Sequence, residues 1–458
     1  MANSYLNKTA SNGERKKCTF SAWIKKSPSG SDYPRVFSSY IGSSDYLRFN
    51  FNRTTDGEQL QLYIETSGAA PTLLTNRSFR DPSAWYHLVF AIDTTLATAD
   101  DRMKIYVNGV QETSFATRTN PSQNQDFPLN SSSATMYIGR QASSSAAFFN
   151  GYMSHVSFVD GQALAPTVFG QTDSTSGIWK FKSPSGVTWG TNGFHLKFEN
   201  SGNLGLDSSG NSNTFTVNGD GRQALDTPSN VYATLNPLDK GYTGAITLAN
   251  GNNTIMSSSS FGDYGVRSTL GVSKGKWYWE VKNAAVSGAG ANTMGVLKMD
   301  KRLVINLMAN PATADVFGIQ RYDDTKTNIY SDGTFTSQNT AMWGGITTSD
   351  VISFALDMDN GKLYLAKNGA FKDSSGNTGN PATAAYPTFT GIDSGEYYGF
   401  YSELRMNNDN GLQVNFGNGY FGTTAITSAG SNGNGSLFEY DVPSGYYALN
   451  TKNINTYG

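Results

Sequence analysis

Apolar and polar residues alternate in short runs along nearly the whole chain, and one such run is written twice. Lys104-Ile105-Tyr106-Val107-Asn108-Gly109 returns as Lys362-Leu363-Tyr364-Leu365-Ala366-Lys367-Asn368-Gly369. Each copy stops at Asn-Gly, a dipeptide that accepts the positive φ of a type I′ turn and so marks a hairpin. Each is preceded by an apolar strand closing on an acid, residues 88–93 and 352–357. The repetition predicts an all-β chain built as two antiparallel β-sandwiches in tandem.

Further strands follow from the same period of two. Residues 17–26 would place Cys18, Phe20, Ala22 and Ile24 on one face. Residues 46–52 and 59–65 alternate cleanly, and Asp81-Pro82-Ser83-Ala84 turns into a strand at 85–92. Residues 135–140 and 149–159 complete the set, while 163–169 read as one helical turn. Trp85 and Trp277 are expected in the cores of separate sandwiches. Between them, residues 220–239 carry Asp226-Thr227-Pro228-Ser229 and Asn236-Pro237, turn signals that predict a linker. The Gly/Asn/Ser run 430–435 opens a predicted tail at 426–458. Its Tyr447-Ala448-Leu449-Asn450 echoes Tyr232-Ala233-Thr234-Leu235-Asn236, which predicts that these two stretches lie side by side.

Composition narrows the function. Charged residues make up 15% of the 458 residues, well under the usual quarter, yet 38% hydrophobic residues suffice for packed cores. Lys plus Arg (34) nearly balances Asp plus Glu (36), so there is no basic footprint and no nucleic-acid partner is expected. A single cysteine, Cys18, excludes an internal disulfide framework and suits a reducing compartment. No secretory leader is evident at the start. No apolar run approaches the roughly 18 residues of a spanning helix, so no membrane insertion is expected.

The strand residues carry two resemblances. Residues 20–23, 85–93, 104–109 and 137–140, with Phe-Asn-Gly-Tyr-Met-Ser-His-Val-Ser-Phe-Val-Asp-Gly-Gln-Ala-Leu-Ala-Pro at 149–166, resemble the laminin-G-like, concanavalin A-like jelly roll over residues 1–170. A piece that often opens such domains, an aromatic strand followed by Asp-Ser-Ser-Gly-Asn, comes late here, at 194–198 and 207–213. Residues 171–219 are therefore expected either to return and complete a first sandwich spanning 1–219 or to form a small β unit of their own. Residues 240–425 resemble a SPRY sandwich through Gly275-Lys276-Trp277-Tyr278-Trp279-Glu280-Val281, Phe317-Gly318-Ile319, the strand 350–357, the second hairpin, Tyr386-Pro387 and Val414-Asn415-Phe416-Gly417. The segment 294–314 departs from that pattern.

Candidate chemistry is sparse. Glycosidases of the concanavalin A-like type resemble one another in a Glu-x-Asp-x-Glu strand that supplies acid and nucleophile, and this chain has none; Glu280 stands alone. His87, His155 and His195 sit in aromatic strands, where structural imidazoles are expected, and no pair has zinc-site spacing. Gly271-Val272-Ser273-Lys274-Gly275 matches a nucleophile elbow in letters, but a strand follows where a helix is required. Asp357-Met358-Asp359-Asn360-Gly361 starts like a calcium loop yet has Asn368 at position twelve. Asp93 is the carboxylate to watch for a rim cation. No catalytic residue, metal or cofactor is expected.

The pairing of the two sandwiches, low in charge and cysteine, resembles proteins of tailed bacteriophages. That resemblance implies a non-enzymatic virion structural protein, a tail fibre, appendage or capsid-surface fibre that binds host-surface glycan or protein. A decoration or cement protein without receptor binding and, disfavoured, a glycan hydrolase remain as alternatives. Its place would be the virion assembled in the host cytoplasm, beside other virion proteins, and a homo-oligomer fits that setting. The first sandwich is expected to dock, aided by the basic stretch at 12–17. The second would face outward, with rim-loop residues Tyr322, Asp324, Tyr330 and Trp343 touching ligand; Tyr33, Tyr40 and Phe148 form a second set in the first half.

Overall fold

The computed structural model describes residues 4–27, 33–54, 57–66, 68–141, 147–241, 246–257, 263–285, 291–303, 315–348, 350–405 and 411–458. Of the departing segment 294–314, residues 304–314 lie outside these. Among the described residues the chain is nearly all β, with one α-helix at Thr451–Tyr457. No helix among them is long and apolar enough to cross a membrane. The chain divides into two compact units, Met1–Gln223 and Ala224–Gly458.

In the first unit, one sheet runs, in spatial order, Phe115–Thr119, Thr72–Ser78, Gly57–Glu65, Asp45–Thr54, Arg35–Gly42, Thr135–Ile138, Tyr5–Thr9, Thr216–Asn218. The second runs Phe194–Leu196, Gly151–Asp160, Lys17–Lys26, Tyr86–Asp93, Met103–Val107, Val110–Gln111. Cys18, Phe20, Ala22 and Ile24 all join its core. Phe20 stacks there between Phe37 at 4.7 Å and Phe90 at 5.4 Å. Trp85 is buried but lies outside that core cluster, beside Tyr152. It shares the face of His87 and Val89, whereas the core takes Leu88, Phe90 and Ile92 from the opposite face of the strand. The turn expected at 163–169 is a 3-10 turn, Pro166–Val168.

The late segment closes this unit. Phe194–Leu196 pairs with Gly151–Asp160, and Thr216–Asn218 with Tyr5–Thr9. Asp160 holds it in place. One carboxylate oxygen accepts from Glu14 N and Asn130 Nδ2, and the other from Asn192 N and Nδ2. Asp160→Asn turns an amide NH2 toward donors and is expected to cost about 2 kcal/mol. Calorimetry should show the midpoint of the first unit lowered by roughly 4–8 °C; an unchanged midpoint would mean the carboxylate does not hold the segment.

Among the described residues the second unit also has two large sheets. One runs Leu235–Lys240, Asp263–Ser268, Tyr398–Arg405, Ala291–Lys298, Val316–Arg321, Thr327–Ser331, Thr334–Asn339. The other runs Ile246–Ala249, Thr254–Ser257, Gly411–Asn415, Lys276–Ala285, Val351–Asp357, Lys362–Lys367, Ala370–Lys372. Two sequence boundaries need correcting. Residues 220–239 are not a free linker: Tyr232, Ala233 and Leu235 are buried in this unit, because apolar residues sit between the turn signals. Nor is 426–458 a tail. Phe438, Val442, Tyr446 and Ala448 pack on Tyr278 and Tyr364, and Tyr447–Ala448 pairs in parallel with Lys276–Ala285. The two echoing stretches do meet, through a Tyr232–Asn450 bridge and an Ala233 N to Leu449 O hydrogen bond.

The duplicated hairpin is duplicated in detail. Asn108 and Asn368 have φ of 49° and 50°, and Gly109 and Gly369 both 81°. Each Asn side chain accepts from a backbone N–H near the start of the preceding strand, His87 in one unit and Val351 in the other. Each glycine is covered by an aromatic ring from later in its own unit. A Cβ on Gly109 would lie 2.6 Å from the Trp179 ring, and one on Gly369 2.7 Å from Tyr440.

Candidate functional site

Groups able to do chemistry are mostly consumed by structure. His87 is fully buried and accepts at Nδ1 from Trp179 Nε1–H at 3.0 Å. Its proton therefore sits on Nε2, which donates to Ser21 Oγ at 2.8 Å. That polarity is the reverse of a serine–base pair, where the imidazole accepts from the hydroxyl. Burial also pulls its pKa down to about 3. His155 stacks on Phe181 at 3.6 Å and His195 faces Trp189; burial lowers both to about 4.

Glu280 is likewise enclosed. Its Oε2 accepts from Glu439 N, and its Oε1 from Tyr440 N and the Tyr278 hydroxyl, at 2.8 to 3.0 Å. Burial outweighs these three bonds and pushes its pKa up to about 7. The carboxylate is fully buried and anchors the segment at 439–440. The 271–275 motif is a turn between strands, with Gly395 N donating to Ser273 O. Asp357 binds Asn360 and Lys276 at the base of a hairpin, and Asp93 binds Thr95 and Lys17. Among the described residues no group of three or more His, Cys, Asp or Glu could hold a metal ion.

The four expected rim residues differ in their surroundings. Tyr322 is an exposed loop residue at 44%, and Asp324 is exposed but paired with Arg321 Nη2 at 2.7 Å. Tyr330 is not on a loop. It lies in Thr327–Ser331, a strand paired on both sides, buried, with its hydroxyl donating to Gln320 Oε1. The chain turns at Asp332-Gly333, after this strand has ended at Ser331. Trp343 is half-buried and packs against the core. Tyr330 is a correction: its ring supports the sandwich instead of its rim, whereas Trp343 lies in the loop at 341–344.

A continuous aromatic surface lies elsewhere, on the outer face of the larger sheet of the first unit. Leu47, Phe49 and Phe51 face the core, as do Leu60, Leu62 and Ile64, all fully buried. The alternation therefore turns Tyr46, Arg48, Tyr63 and Glu65 outward. Cross-strand register sets Tyr40 opposite Tyr46 and Arg48 opposite Tyr63. The Tyr40, Tyr46 and Tyr63 rings form a ladder at 6.4 and 5.9 Å, each pair inclined 27°. The Arg48 guanidinium lies 4.2 Å from the Tyr63 ring centre, 5.8 Å from Tyr46 and 5.6 Å from Tyr33. Arg35 approaches the same Tyr33 ring at 5.4 Å. Farther across the sheet, Tyr5 meets Tyr137 and Phe148, with Arg140 4.6 Å over Tyr5. Tyr33, Tyr40 and Phe148 were legible as candidates; Arg35, Arg48, Tyr46 and Tyr63 were not. Their signal is the Tyr-x-Arg spacing on a strand whose other face is apolar.

Half-exposed tyrosines in a row on a sandwich sheet invite comparison with carbohydrate-binding folds. Residues 2–168 match the Laminin_G_3 family model, concanavalin A-like lectin/glucanases superfamily. The first unit thus carries a laminin-G-like, concanavalin A-like domain. A search of the curated proteins finds no match to the chain. Solved structures similar to it include the SPRY domain of human HERC1, at 18% identity and TM-score 0.30, covering 39% of this chain and 96% of that one. The TRIM65 PSpry domain matches at 13% and 0.28, covering 40% and 91%. Domain 4 of AbnA, a GH43 extracellular arabinanase from Geobacillus stearothermophilus solved with arabinotriose, matches at 17% and 0.25, covering 34% and 65%. The concanavalin A-like fold serves both glycan hydrolases and non-enzymatic binders.

Proposed function

We propose that the protein is a non-enzymatic binding component of a bacteriophage virion, in a tail fibre, appendage or capsid-surface fibre, that attaches to host-surface glycan. The observation that carries the binding part is the tyrosine and arginine face of the first unit. Flat rings held by a rigid sheet stack on the apolar faces of sugars, and little side-chain freedom is lost on contact. The reading as a binder is supported further by Glu280, whose oxygens are engaged by three donors inside the second unit. The virion setting rests on the sequence resemblance to phage proteins. There, other virion proteins are the partners, and many copies on one particle raise avidity by orders of magnitude without new contacts.

This reading reverses the polarity expected from sequence, since the better contact surface belongs to the first unit. Tyr322 of the second unit remains an exposed accessory contact. The test is the labelled full-length protein on an array of microbial polysaccharides, with product assayed in parallel. Binding without release of reducing ends is expected. Binding to no glycan overturns the reading, and release of sugars replaces it with the hydrolase.

A further inference from the structure

Two arginines share the centre of the tyrosine face without a counter-ion among the described residues. Arg35 is 5% exposed. Its Nε donates to Gln141 Oε1 and its Nη1 to Tyr33 O, both neutral acceptors. Arg48, one strand over, makes no ion pair among the described residues, and its Nε is enclosed without a hydrogen-bond partner. Both guanidinium carbons lie within 5.6 Å of the Tyr33 ring. Burial first, and the Arg48 charge second, hold Arg35 well below the ordinary arginine range. Buried or half-buried arginines are ordinarily paired with carboxylates. Elsewhere in this unit half-buried Arg118 binds Asp100, and buried Arg102 donates to the Leu96, Ala97 and Pro121 carbonyls; Arg48 has neither kind of partner among the described residues.

We propose that Arg35 and Arg48 form a subsite for the anionic group of an acidic polysaccharide, with Arg48 meeting the anion and Arg35 adding positive potential behind it. This deepens the glycan-binding reading and rests on it. The planar guanidinium matches a carboxylate or sulfate bidentately. The Tyr33, Tyr46 and Tyr63 rings around it supply stacking surfaces for the sugar ring that carries the charge. An acidic sugar therefore satisfies both halves of the patch, whereas a bare anion would use only the arginines.

The experiment titrates the full-length protein with polygalacturonate, dextran sulfate and neutral dextran of matched length. At least tenfold tighter binding of an acidic polymer than of dextran is expected, weakening as salt is raised. Preference for polygalacturonate assigns a carboxylate, and preference for dextran sulfate a sulfate ester. Arg48→Gln should erase that preference without lowering the unfolding midpoint, because it relieves repulsion of Arg35. A purely structural arginine would instead lower the midpoint. Arg48→Lys keeps the charge but not the fork, and should lose most of the preference while remaining folded. Equal affinity for all three polymers, or a preference unchanged in both variants, overturns the subsite and leaves glycan binding standing. Failure on the polysaccharide array overturns the reading beneath it.

Discussion

Trp277→Ala is expected to lower the unfolding midpoint of the second unit by roughly 10 °C and leave the first nearly where it was. Trp277 is fully buried in the core of the second unit, and its Nε1–H donates to Lys274 O at 2.7 Å. Its strand, Lys276–Ala285, is bonded to Val351–Asp357 and Gly411–Asn415, and also receives Tyr447–Ala448. Truncating a core aromatic costs about 3–5 kcal/mol, and here the loss falls on a strand bonded to three later segments of the unit. The first unit has its own core, which contains none of these residues. Calorimetry of the full chain checks it. A single transition that moves as one, by the same amount for Trp277→Ala and for a core truncation in the first unit such as Phe20→Ala, would show that the units do not unfold separately.

Local pattern was enough for the strands and turns. The Asn-Gly hairpins at 108–109 and 368–369 form where the dipeptide requires them, because the positive φ is a property of those two residues alone. The alternating strand 17–26 buries the side its spacing indicates. What eluded the sequence depends on residues far apart. Glu280 meets the backbone of Glu439 and Tyr440, about 160 residues on, so a run that looked like a flexible tail is pinned to a central strand. Tyr330, expected on a rim loop by its position in the SPRY-like pattern, is fixed in a strand by pairing on both sides. The binding face was missed for a related reason. Tyr46 and Arg48 on one strand and Tyr63 on the next become a surface through register, which one strand's alternation does not specify. Tyr33 and Tyr40 were visible individually, but nothing in their spacing places two arginines beside them.

Glu280 makes the second large prediction, and its pH dependence has a definite sign. Glu280→Ala strips the acceptor from Glu439 N–H, Tyr440 N–H and the Tyr278 hydroxyl at once. A loss of about 3–5 kcal/mol is expected for the second unit at pH 5, since each buried donor left without a partner costs roughly 1–3 kcal/mol. Burial raises the folded-state pKa to about 7 from an ordinary 4.5. Between those values the folded protein keeps a proton that the unfolded chain has released. Rising pH therefore destabilises the fold through this group, with its contribution fully present below about 4.5 and gone above about 7. The buried histidines of the first unit act in the opposite sense: their lowered pKa values make stability fall as pH drops below the ordinary histidine range. Comparing wild type with Glu280→Gln at each pH cancels those terms. The amide keeps the shape but turns an NH2 toward backbone donors, and should cost about 2 kcal/mol at pH 5. Because the variant does not titrate there, the gap should close by pH 8. Denaturant unfolding followed on the second unit at pH 5, 6, 7 and 8 reads it directly. A gap that widens with pH would mean that the three hydrogen bonds outweigh burial and that Glu280 is held as an anion throughout.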